Sequence, residues 1–183
     1  MIKREWIPIM KQRRKLKLKF TDLLNHYLIV LFLLIPLLFS LFSFFQKYVL
    51  DSYTGVRQPG EMLIVTAPFG LLAIFFLFIQ KNRLRFKTIE TDMPKEKIKM
   101  IIKQTAQELE WHPEMVNDDI VVAKTHPNWW EGSWGEQITI LLDNHRILIN
   151  SICDPNKPSS VVSFGRNRNN IKKLITKINN ASS

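Results

Sequence analysis

A chain of 183 residues, 46% of them apolar, has room for one ordinary domain or for a small domain plus membrane segments. The net charge of +10 lies wholly in the first half, where Met1 to Lys87 carries 14 Lys or Arg against Glu5, Asp22, Asp51 and Glu61, while Thr88 to Ser183 carries 12 residues of each sign. A neutral second half argues against nucleic acid as a partner, and the single cysteine, Cys153, rules out an intrachain disulfide and any need for an oxidising compartment.

The chain opens on a basic segment, residues 1–26, in which "KQRRKLKLKF" (Lys11 to Phe20) alternates basic and apolar residues. Each Lys or Arg close to an anionic leaflet contributes about 1 kcal/mol of attraction, so this stretch is expected to lie along the headgroups and to set topology. Tyr27 to Phe45 follows without a charge. At about 1.5 Å per residue it reaches roughly 28 Å, close to the ~30 Å hydrocarbon core, and predicts a transmembrane helix. The run is too long for a signal-peptide core, and "SFFQKYVLDSY" is a poor cleavage site. Met62 to Ile79 reads as a second span, making residues 27–87 a hairpin with its flanks.

Basic residues are retained on the cytoplasmic side. Those from Lys3 to Lys19 precede the first span, and Lys81, Arg83, Arg85 and Lys87 follow the second, whereas the loop between them holds only Lys47 and Arg57. The expected location is therefore the inner (plasma) membrane, multi-pass, with both termini cytoplasmic and the anionic inner leaflet as lipid partner. Pro36 and Pro68 permit kinks, but no ionisable residue inside either span marks an ion path, which favours an anchor over a transporter.

Residues 88–183 read as a cytoplasmic α+β domain. Asp92 as N-cap, Pro94 in the first turn, and Ile98, Ile101, Ile102, Thr105 and Leu109 at helical spacing predict a helix from Met93 to Glu110, ended by His112 and Pro113. "DDIVVAKTH" (Asp118 to His126) predicts a strand. "EQITILLDNHRILINSIC" predicts a β-hairpin with Ile138, Ile140 and Leu142 facing Ile147 and Ile149, and "VVSFG" (Val161 to Gly165) a possible fourth strand. Ile171, Leu174, Ile175 and Ile178 form the stripe of a closing helix. The expected architecture is helix, three or four antiparallel strands, helix, with both helices on one face of the sheet in a two-layer domain.

Catalytic signatures are missing: there is no P-loop, dinucleotide glycine pattern, HExxH, paired cysteines or nucleophile elbow. No catalytic residue, metal ligand or cofactor is assigned, and the reading leans away from an enzyme. His112, His126 and His145 with Asp118, Asp119, Glu136 and Asp143 can supply acid, base or ligand only if folding gathers them, and their spacing specifies no geometry. Cys153 reads as a buried, inert thiol.

Two stretches stand out as candidate partner or ligand sites. In "SFGRNRNNIKK", Gly165 opens a helix whose free N–H groups, with Arg166 and Arg168, suit a phosphate or carboxylate, while Asn167, Asn169 and Asn170 are also ordinary capping residues. In "HPNWWEGSWGEQI", Trp129, Trp130 and Trp134 suit a lid over the core, a partner or membrane contact, or a flat ligand.

A basic N-terminus, a two-span hairpin and a domain carrying "GEQITILLDNHRILINSICDP" and "SFGRNRNNIKKL" together resemble uncharacterised small bacterial inner-membrane proteins with a two-helix transmembrane hairpin and a cytoplasmic α+β domain. The resemblance implies a layout and brings no activity or site residue. The functional expectation is a membrane-anchored, non-enzymatic protein whose domain binds a protein partner or a small anionic ligand at the inner leaflet. The alternatives are a membrane-bound hydrolase or transferase using the His and Asp residues near the hairpin, and an accessory subunit of a larger membrane complex.

Overall fold

The computed structural model describes residues 2–127, 134–157 and 165–182. In chain order it contains helices α1 (Ile7–Arg13), α2 (Phe20–Tyr48) and α3 (Pro59–Arg83), strand β1 (Lys87–Glu90), helix α4 (Lys95–Glu108), strands β2 (His112–Val116), β3 (Ile120–Lys124), β4 (Glu136–Asp143) and β5 (Arg146–Cys153), and helix α5 (Arg166–Ser182). These elements form two compact units, Met1–Asn25 with Arg83–Ser183, and His26–Asn82.

The first unit is an α+β domain around one antiparallel five-stranded sheet in the order β1-β5-β4-β3-β2. The β4–β5 hairpin has the expected register, with Ile140 opposite Ile149, Leu142 opposite Ile147, and Asp143 and Arg146 closing the Asn144-His145 turn. Alternation along the strands puts Val121, Ala123, Ile138, Ile140, Leu142, Ile147 and Ile149 on one face. There they share a core with Ile98, Ile101 and Ile102 of α4, Trp111, and Leu174 and Ile178 of α5.

Two strands and one helix boundary differ from expectation. β1 is an edge strand of four residues held only by β5. β2 is the opposite edge, begins at His112-Pro113 and is irregular between Pro113 and Met115, a position that tolerates a residue with no N–H to donate. Helix α4 starts at Lys95 with Pro94 as N-cap, because Asp92 instead receives a hydrogen bond from His145 Nδ1 at 3.0 Å. The possible strand at Val161 to Gly165 lies outside the described residues except for Gly165.

The second face of the sheet is also buried. Ile120, Leu141, Leu148 and Ile152 are each fully buried. The residues before α2 supply a third layer: Met10 and Leu16 are buried together with Leu84 and Phe86. Leu16 N donates to Leu84 O at 2.7 Å and Phe86 N to Arg14 O at 3.0 Å, a short ladder laid over the sheet, and Asn150 Nδ2 donates to the carbonyls of Arg83 (2.7 Å) and Arg85 (3.0 Å). Residues 2–25 thus pack within the α+β unit, which takes up the chain again at Arg83. The physical cause is the second apolar face of the hairpin, which needs cover as much as the first.

The second unit is built from the apolar parts of α2 and α3, whose 29 and 25 residues make them long and apolar enough to cross a membrane. At about 1.5 Å per residue they extend roughly 43 and 37 Å. Most of their large apolar side chains, such as Phe32, Phe39, Ile64 and Leu71, are exposed, unlike those of a core helix in a soluble protein. Polar contacts join the two helices: His26 Nε2 donates to Gln80 O at 3.0 Å, Gln80 Nε2 donates to His26 O at 2.9 Å, and Thr66 Oγ1 lies 2.9 Å from Ser40 Oγ. Buried Gly70 faces Leu37, whose Cδ2 would be 2.6 Å from an added Cβ, so a larger residue there would require the Leu37 side chain to shift. Pro36 and Pro68 are accommodated inside continuous helices.

Candidate ligand cavity

A cavity of about 400 Å³ lies within the α+β unit, between the second face of the sheet and the N-terminal arm. Such a volume falls in the range of small-molecule sites, about 300–1,000 Å³. The arm contributes Ile2, Trp6, Lys17, Leu18 and Lys19, and the first turn of α2 adds Asp22. The sheet contributes Glu114, Met115, Val122, Lys124 and Gln137, and the turn after β5 adds Asn156. Alternation explains the sheet's share: Val122 and Lys124 on β3 and Gln137 on β4 point away from the α4/α5 core.

Charge is divided across this cavity. On its inner wall Lys124 Nζ lies 2.9 Å from Glu114 Oε1 and 3.3 Å from Asp154 Oδ2; the Lys124 and Asp154 side chains are almost fully buried, and Glu114 is half exposed. Burial acts to lower the Lys124 pKa, but the two carboxylates outweigh it and hold the ammonium above its ordinary value. Asp154 Oδ1 also accepts from Asn156 N at 3.0 Å, which fixes the turn. Two carboxylates thus share one ammonium. On the outer wall Lys17 Nζ sits 4.9 Å from the centre of the Trp6 ring, a cation–π contact. Among the described residues neither Lys17 nor Lys19 is paired with a carboxylate.

The residues singled out from sequence are placed elsewhere. Trp129 and Trp130 lie outside the described residues, and Trp134 is exposed. Gly165 has φ +84°, the left-handed region that favours glycine, and its carbonyl accepts the Asn169 N–H at 2.9 Å as α5 begins. Arg166 Nε donates to Glu136 Oε2 at 3.3 Å, and Glu136 is wholly buried. Thr125 Oγ1 donates to the same oxygen while accepting from Glu136 N at 2.8 Å. Arg166 thus contributes to a buried ion pair, and Arg168 stands exposed on the same first turn of α5.

The acids and histidines considered for catalysis are dispersed. Asp118 pairs with Lys99, Asp119 with Lys11, Asp143 with Arg146, and His145 with Asp92. His112 and His126 stack with ring centres 5.0 Å apart. Among the described residues no three His, Cys, Asp or Glu side chains gather as a metal set. Cys153 is half-buried, with Asn167 Nδ2 3.8 Å from its sulfur.

Sequence reading missed Trp6, Lys17, Lys19, Glu114 and Lys124 as a group because topology alone brings them together. A trace of the site was present: Gln137, Thr139 and Asn150 are polar residues at alternate positions of otherwise apolar strands. No family model matches the chain, and no curated protein does.

Proposed function

We propose that the protein is a membrane-anchored, non-enzymatic binding module whose α+β unit takes a small ligand bearing an anionic group at the inner leaflet, with both termini in the cytoplasm. The observation that carries this reading is the cavity, where Lys17 and Lys19 present cations that pair with no carboxylate among the described residues. Lys19 immediately precedes Phe20, the first residue of the long apolar helix α2. The excess of Lys and Arg on both outer flanks of the hairpin supports the orientation.

Binding is tested with the full chain in detergent by calorimetric titration of inorganic phosphate and small phosphate esters. Lys17→Ala with Lys19→Ala should weaken binding by about tenfold or more, as expected when a charge-assisted contact is lost. Absence of binding to every phosphate ester would overturn the proposal. For orientation, a reporter fused after Ser183 should be active only in its cytoplasmic form. Exposed Trp134 supports a second reading, a protein contact at the end of β4, which a Trp134→Ala variant in a pull-down from solubilised membranes would weaken.

A further inference from the structure

We infer that the cavity is selective for a zwitterion that joins a phosphate to a primary amine, the phosphoethanolamine unit of an aminophospholipid headgroup or of a free phosphoester. This inference rests on the ligand-binding reading of the same cavity. A lining with a large excess of positive charge would suit a simple anion best. Here Lys17, Lys19 and Lys124 are balanced by Asp22, Glu114 and the buried Asp154 behind Lys124. Each wall holds both signs but in unequal number. On the arm side Lys17 and Lys19 outnumber Asp22, whereas on the sheet side Glu114 and the Asp154 behind it exceed their shared Lys124 ammonium by one charge. A ligand with a negative end and a positive end satisfies both walls at once, its phosphate on the lysines and its ammonium against Glu114.

The aromatic group decides between kinds of ammonium. A quaternary amine is held by open aromatic faces. Trp6 already carries Lys17 at 4.9 Å and Lys3 at 5.8 Å from its ring centre, so a ligand's quaternary amine would compete there with two of the protein's own cations. A primary ammonium needs hydrogen-bond acceptors instead, and Glu114, Asp22 and the Gln137 amide supply them. Phosphoethanolamine is therefore preferred over phosphocholine.

The test uses the full chain in phosphatidylcholine nanodiscs, titrated calorimetrically with O-phosphoethanolamine, phosphocholine and inorganic phosphate. In parallel, thermal stability is compared in discs of phosphatidylcholine alone and discs doped with phosphatidylethanolamine. Phosphoethanolamine should bind about tenfold tighter than phosphocholine, the ratio for one charge-assisted hydrogen bond. Glu114→Gln should bring that ratio close to one while inorganic phosphate still binds. Asp22→Asn, at the half-buried start of α2, keeps the test alive if Glu114→Gln perturbs folding, and should reduce the ratio in the same direction. Stabilisation in doped discs without response to the free ester assigns the unit to a lipid headgroup; response to the free ester assigns it to a soluble ligand. Equal affinity for both esters, with Glu114→Gln and Asp22→Asn silent, overturns the selectivity while leaving the cavity's anion binding intact. No binding of any phosphate compound overturns both.

Discussion

Lys11 Nζ lies 3.0 Å from Asp119 Oδ1, joining the basic N-terminal arm to the turn that starts β3, and 3.8 Å from Asp143 Oδ1 at the end of β4. A cation of the basic N-terminal segment is thereby used inside the α+β unit. The anchor of the arm is apolar, however, because Met10 is completely buried whereas Asp119 is half exposed. Met10→Ala should cost about 2–5 kcal/mol, the range for a buried Met truncated to Ala. Lys11→Met should cost less, about 1–2 kcal/mol, because Lys11 is mostly buried but the carboxylates it serves reach solvent. Denaturant unfolding followed by tryptophan fluorescence gives both values. In the Met10 variant, hydrogen exchange at the Leu16 and Phe86 amides, which bond to Leu84 and Arg14, should accelerate first.

The Glu136–Arg166 pair makes the opposite prediction to a surface clamp. Glu136 is wholly buried, so Arg166→Met removes one of the groups that hold its carboxylate, beside Thr125, and should destabilise by about 3 kcal/mol. The double variant Glu136→Gln with Arg166→Met removes the buried charge as well and should recover part of that loss in the same unfolding experiment. A full double-mutant cycle that shows no coupling would remove Arg166 from the buried pair.

The elements legible in the sequence were those with a complete period. The α5 stripe delivers Leu174 and Ile178 into the core, and the strict alternation of the hairpin fixes which of its residues face them. Strand β1 carries a single large apolar residue, Ile89, in four positions, so its existence depends on pairing with β5 and not on local pattern. The arm was masked by its own lysines. Their excess signals topology, while the evidence for its fold-back lies far along the chain, in Leu141, Leu148 and Ile152 at the positions of the hairpin that a one-sided sheet would make polar. The cavity was less legible still, since Trp6 and Lys19 of the arm, Glu114 of β2 and Lys124 of β3 come from three segments that only tertiary packing assembles.

Acid should destabilise the α+β unit through named carboxylates. The hydrogen bond from Arg146 holds Asp143 below its ordinary value, with Lys11 adding to it; Lys177 and Lys173 do the same for Glu108, and Lys99 for Asp118. Each binds protons less readily in the folded chain than in the unfolded one. Their stabilisation is therefore fully present above the unfolded values, about pH 4, and is lost as pH falls through the lower folded values. Glu108 and Asp118 are open to solvent and screened by salt, so the salt-resistant part should come from Asp143. Melting temperature measured from pH 6 to pH 2 at high salt should fall less steeply in Arg146→Met. Lys124 acts at the other limb: raised in the fold, it stabilises below about pH 10.4 and that contribution is lost as pH climbs through its higher folded value.

Helix α4 ends in a conformation that its sequence does not favour. Leu109 is the C-cap, Glu110 follows with φ +53°, and Trp111 N donates back to Ala106 O at 2.8 Å, closing a Schellman motif. The motif is worth its strain because it turns the chain so that Trp111 enters the core, where Nε1 donates to Asn170 Oδ1 at 3.3 Å and links α4 to α5. Asn170 in turn donates to Ser151 Oγ at 3.3 Å, carrying the link to β5. Glu110 itself is exposed, so its side chain contributes little packing while its Cβ opposes the left-handed backbone. Glu110→Gly should raise stability by about 0.5–1 kcal/mol, because the relief of the strained conformation exceeds the added freedom of the unfolded chain. Glu110→Val, with a branched Cβ in the same conformation, should lower it. Paired melting curves of the two variants decide the point, and a loss of stability in Glu110→Gly would show that the turn is not under strain.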